Sequence, residues 1–186
     1  MVLLVLLNGP PASGKSTIAG RFTDSRPLAL NLDVDVVRGM LGAWLDDPST
    51  AGLAARSLAL AMAETHLTAG RDVIVPQFLG RRDFLDQLAE VAERTQATFI
   101  ETALWLDRET ALAAFAQRGA MPSDQTHHDA VSLVDRAEHA DPVGRMYDAF
   151  VELVETRPAT RRVDVIRGEI DLTFARFVEA LDIRAC

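Results

Sequence analysis

Residues 9 to 16 read Gly-Pro-Pro-Ala-Ser-Gly-Lys-Ser, a complete G-x-x-x-x-G-K-S phosphate loop directly behind an apolar run. Gly9 and Gly14 let the backbone bend so that its N–H groups, from Ala12 and Ser13 through to Thr17, face phosphate oxygens. The N-terminus of the following helix adds partial positive charge. In this spacing Lys15 reaches the β- and γ-phosphates, and the Ser16 hydroxyl is a ligand for Mg²⁺. The spacing therefore predicts binding of a nucleoside triphosphate with its metal.

Other residues suited to the same chemistry follow along the chain. Asp33 and Asp35 stand at the end of a second predicted strand, expected beside the strand that carries the loop. A carboxylate there can accept the proton of a hydroxyl attacking the γ-phosphorus, or hold Mg²⁺ through water. We favour Asp35 as the base and Asp33 near the metal; capping of the next helix is the competing role for either. Arg38 lies one helical turn beyond Asp35 and can share its face, there to bind an anionic group on an acceptor or to face solvent. Gln77, at the tip of a third strand, is a candidate contact to the acceptor or to a metal-bound water. Arg118 precedes Gly119 and a polar stretch; it either neutralises the transferring phosphoryl group or complements a helix dipole. Arg136 is a weaker candidate for the first role. His127 and His128 have no third ligand at a zinc-binding spacing. Trp44 either lines an acceptor pocket or belongs to the core.

The elements that must position these groups are legible in the hydropathy pattern. Val2 to Leu7 is a continuous aliphatic run, as in a parallel strand buried on both faces. Further strands are predicted at Leu28 to Leu32, Asp72 to Val75, Thr98 to Leu106 and Val163 to Ile166. Helices are predicted from Thr17, over Val36 to Trp44, Thr50 to Ala69, Arg82 to Arg94, Glu109 to Gln117, Asp129 to His139, Pro142 to Val154 and Leu172 to Leu181. Phe84, Leu85, Leu88, Val91 and Ala92 share one face of their helix. Strands alternating with helices predict a three-layer α/β/α fold with a five-stranded parallel sheet. All strand C-terminal ends, and so the ligands, then fall on one edge.

The 186 residues are expected to form one domain, with a small helical lid at about 118–140. The net charge is −8, and the chain contains a single lysine, the one in the loop. Nucleic acid is thereby disfavoured as a partner, because its binding rests on neutralising phosphates with basic side chains. One cysteine, Cys186, excludes a disulfide framework. The first apolar run is too short to span a bilayer and has no basic leader, so we expect a cytoplasmic protein without membrane contact.

With those motifs in place, the chain resembles the small single-lid P-loop kinases: the polynucleotide 5′-kinase domain, gluconate kinase, chloramphenicol phosphotransferase and the zeta-toxin kinases. The likeness is carried by Gly9–Thr17, by Asn31-Leu32-Asp33-Val34-Asp35-Val36-Val37-Arg38 and by Arg118-Gly119. It implies a P-loop NTPase fold, ATP and Mg²⁺ as cofactors, an aspartate base with Asp35 and Arg38 at the matching positions, and a lid opening at Arg118. The group commonly has an acid at the tip of strand three, where this chain has Pro76-Gln77; metal organisation would then fall to Ser16, a strand-two aspartate and water. The leading expectation is phosphoryl transfer from ATP to a hydroxyl of a small molecule, a metabolite or an antibiotic. A polynucleotide 5′-kinase, a toxin-type sugar-nucleotide kinase and a non-kinase ATPase or nucleotide switch are the alternatives. No N-K-x-D guanine-reading segment and no L-S-G-G-Q segment is present.

Overall fold

A computed structural model describes residues 1–120 and 141–182, with the backbone alone at 118–120. The elements run β1 (Leu3–Asn8), α1 (Lys15–Asp24), β2 (Leu30–Asn31), α2 (Val34–Gly39), α3 (Pro48–Thr68), β3 (Val73–Pro76) and α4 (Asp83–Thr95). They continue with β4 (Thr98–Trp105), α5 (Arg108–Ala120), α6 (Pro142–Glu155), β5 (Arg161–Asp164) and α7 (Ile170–Ala180). The five strands form one parallel sheet in the order β2-β3-β1-β4-β5.

The alternation of β1 divides the core. Leu4 and Leu6, with Val73 and Val75 of β3, face α2, α3 and α4. Leu3, Val5 and Leu7, with Ile74, Ile100 and Leu104, face α1 and α7. A strand covered on both faces must be apolar throughout, which is why β1 reads as an unbroken aliphatic run. On one side Ala55, Ala59 and Ala63 bring α3 close to the sheet, and the five predicted residues of α4 are all buried. On the other, Phe22 of α1 meets Phe177 of α7 edge to face at 6.2 Å. Truncating a buried phenylalanine of this kind typically costs about 3–5 kcal/mol.

Four expectations are corrected. β2 pairs with β3, not β1, because both edges of β1 are taken by β3 and β4. β2 is also only two residues long: Leu28 adopts φ 60°, which an extended strand does not accept. The helix expected to Trp44 stops at Gly39. Gly39 and Gly42 weaken helix propagation and Ala43 turns left-handed at φ 51°, so Trp44 lies in a turn. Conversely, α5 runs through Gly119 to Ala120, carried by the alanines of its last turns.

Candidate active site

The phosphate loop joins β1 to α1, and its shape is set by backbone constraints. A β-carbon at Gly9 would lie 2.7 Å from Ser13 Oγ and 3.1 Å from Leu104 Cβ, so only glycine fits without displacing a neighbour. Gly14 takes φ 93°, ψ 13° as the N-cap of α1, and no side chain caps that helix. The start of α1 therefore presents the Ser16 and Thr17 amides to an anion and not to a side-chain cap. Ala12 is left-handed as well, at φ 64°. A non-glycine residue in this region carries about 1–3 kcal/mol of strain, which tends to be stored where a ligand needs the shape. Lys15 Nζ donates to the carbonyls of Gly9 (3.0 Å) and Pro10 (2.9 Å), folding back over the loop. Ser16 and Thr17 are exposed on the first turn of α1.

The same sheet edge carries the strand-two acids. Asp33 is the N-cap of α2, its Oδ1 accepting from the Asp35 amide at 2.9 Å. Its carboxyl is pushed above the ordinary carboxylate value, first by burial and then by the negative charge of Asp35. Amide hydrogen bonds from Asp35 and Val36, and the Lys15 ammonium, act in the opposite direction. Asp35 is partly exposed, and its Oδ1 lies 3.1 Å from the Arg38 guanidinium. The turn that ends α2 lays the Trp44 ring against Arg38, with 4.6 Å from guanidinium carbon to ring centroid. Arg38 is thus held between an acid and an aromatic face, with 16% of its side chain exposed.

Gln77 follows β3. Its amide donates to the Leu7 carbonyl at 3.2 Å, which prolongs the β1–β3 ladder. Among the described residues, the buried side-chain polar atoms without a hydrogen-bond partner are Ser13 Oγ, Arg38 Nε and Gln77 Oε1. All three belong to residues on this edge. Leaving such a group unpaired costs about 1–3 kcal/mol, and exceptions of this kind gather at functional sites.

Asn8 escaped the sequence reading. It is the last residue of β1, 2% exposed, and its amide bonds the backbone of both Gly9 and Leu79. The available signal was one amide side chain closing an otherwise aliphatic strand. The side chain of Arg118, together with Arg136, His127, His128 and most of the expected lid, lies outside the described residues.

The donor set fits a polyphosphate: an uncapped helix N-terminus, two left-handed residues that turn the loop, and one ammonium. For Mg²⁺, the Ser16 hydroxyl and the Asp33 carboxylate are hard oxygen donors of the right type. No group of three or more His, Cys, Asp or Glu side chains gathers among the described residues. An ion here would take most of its oxygens from nucleotide and water.

A parallel sheet whose first strand feeds such a loop into a helix defines an α/β nucleotide-binding protein with the fold of the small P-loop kinases. The chain belongs to the AAA domain family, whose model matches residues 4–140. No curated protein sequence matches it. Among solved structures it is similar to a candidate kinase from Chloroflexus aurantiacus J-10-fl, with TM-score 0.65 and 18% identity over 97% of this chain and 99% of the other. It is also similar to a gluconokinase from Sinorhizobium meliloti 1021, with TM-score 0.52 and 17% identity over 95% and 94% of the two chains. At these identities the likeness is one of fold. No helix among the described residues is long and apolar enough to cross a membrane.

Proposed function

We propose that the protein is a kinase that transfers the γ-phosphate of ATP to a hydroxyl of a small molecule, as one domain with a lid at about 118–140. The observation that carries this reading is the sharing of one sheet edge by the Lys15 loop and an Asp35–Arg38–Trp44 cluster. A nucleotide-binding module needs the first; the second is the equipment for a phosphoryl acceptor.

In this reading the amides of Ala12–Thr17 and the Lys15 ammonium bind the triphosphate, while Gly9 shapes the loop. Ser16 and Asp33 hold Mg²⁺, which when bound offsets the charge of the β- and γ-phosphates. Arg38 fixes one oxygen of Asp35, so the other is oriented to take the acceptor's proton. The acceptor oxygen bonds to the γ-phosphorus as the bond to the bridging oxygen of ADP breaks. Arg118 neutralises charge on the transferring group, and Arg38 and Gln77 hold the acceptor. Such catalysis is chiefly positioning and charge stabilisation.

The test is turnover of ATP with Mg²⁺ against metabolites and hydroxyl-bearing antibiotics, with the phosphorylated product read by mass. A product formed by the wild type and missing from Lys15→Ala and Asp35→Asn supports the reading. A second reading, an ATPase or nucleotide switch, is favoured by the amide of Gln77 where an acid is common in similar kinases. ATP hydrolysis unaffected by every acceptor would select it.

A further inference from the structure

The Asn8 side chain behaves like a short piece of strand. Its Oδ1 accepts from the amides of Gly9 (2.8 Å) and Leu79 (2.9 Å), while its Nδ2 donates to the Leu79 carbonyl at 3.1 Å. The β1–β3 ladder runs to Leu7 and Pro76, and the Gln77 amide adds a bond to Leu7. At Leu79, two residues beyond Gln77 and past the end of β3, the Asn8 side-chain amide supplies both halves of the next rung. Asn8 and Leu79 are both buried, so no solvent replaces those bonds.

We infer that Asn8 is a positioning residue that locks the entrance of the phosphate loop to the loop joining β3 to α4, so that the two move as one unit. One end of this unit is Gly9, whose carbonyl also receives Lys15. The other end follows Gln77. A shift at either loop is therefore transmitted to the other through one side chain. The residue type follows from the bonds. An amide carries its double acceptor and its donor on separate atoms, so it meets two N–H groups and a carbonyl at once, whereas a hydroxyl would have to do so from a single oxygen. Aspartate would set a carboxylate against the Leu79 carbonyl and bury a charge, and leucine would leave three backbone groups unpaired.

Amide hydrogen exchange on the whole protein decides this without any ligand. In Asn8→Leu, which removes the acceptor of both amides, exchange at Gly9 and Leu79 should accelerate together, by about tenfold or more, with Val75 and Ile100 of the sheet unchanged. Acceleration at one of the two amides alone overturns the inference. Should that variant fail to fold, the wild type still answers. Across a denaturant series the Gly9 and Leu79 amides should open with the same free energy and the same slope; different slopes overturn the linkage.

The catalytic consequence rests on the phosphotransfer reading above. Asn8→Leu should raise KM for ATP and for the acceptor together, whereas Gln77→Ala should raise only that for the acceptor. A rise confined to one substrate in Asn8→Leu contradicts the shared unit. Exchange is read without turnover, so failure of the linkage is distinguishable from failure of the kinase reading.

Discussion

The two halves of the candidate site are built by different means. The phosphate-loop half is made of backbone. Gly9 is required by a close approach, Gly14 and Ala12 by left-handed turns, and the binding groups are amides at an uncapped helix end. The Asp33–Trp44 half is made of side chains carried on a two-residue strand, a six-residue helix and a turn. A backbone site is fixed by the residues that form it. A side-chain site takes its shape from what packs around it, and so can change its ligand while the sheet stays the same.

The sharpest break in that comparison comes from the one side chain on which the backbone half depends. Lys15→Ala should reduce turnover by about 10²–10³-fold, the scale for losing a preorganised donor at a developing anion. It should also weaken ATP binding measured by calorimetry, because the amides alone would then carry the phosphates. Unchanged ATP affinity would mean that the loop holds its ligand by backbone only.

Asp35→Asn should separate the halves. We expect kcat to fall by about 10²–10⁴-fold, the usual contribution of a general base, with ATP affinity retained. A parallel loss of nucleotide affinity would place Asp35 with the metal instead and break the assignment of the two acids.

The same contrast governs what the sequence revealed. Loop, helix start and buried first strand lie within the first 22 residues, where local rules decide everything, and they read correctly. Asp33, Asp35 and Arg38 were legible as residue types, but their arrangement was not. β2 lies beside β3 because β1 already has two partners, a competition that no local pattern contains. Trp44 reaches Arg38 because the chain leaves the helix at Gly39 and turns at Ala43, where the pattern of apolar residues continued a helix. Asn8 was hidden for the opposite reason: its partner is 71 residues away, and its role appears only once β3 is placed.

A smaller effect tests whether the side-chain half is held as a stack. Arg38→Lys keeps the charge but loses the planar fork that meets Asp35 and the face that lies on Trp44. The acceptor's KM should rise about tenfold while that for ATP stays constant. Trp44→Leu should give part of the same loss, with the acid–arginine pair intact. Equal KM values for all three proteins would leave Arg38 outside acceptor binding.

The smallest effect is a stability measurement at the seam between the halves, on Asp33. Its carboxyl is held above the ordinary value of 3.8, chiefly by burial, so the folded chain binds that proton more tightly than the unfolded chain. The associated stability is complete below the unfolded value and is lost as pH rises through the folded one. At neutral pH the fold therefore bears a buried charge that only partly recovers its desolvation from Lys15 and the α2 amides. Asparagine caps a helix about as well as aspartate, whereas alanine loses about 1 kcal/mol of cap. Asp33→Asn should thus melt at or slightly above the wild type near pH 7, with the gap closing as pH falls, while Asp33→Ala melts below both. A lower Tm for the asparagine variant at pH 7 would show that the charge itself, through Lys15, holds the two halves together.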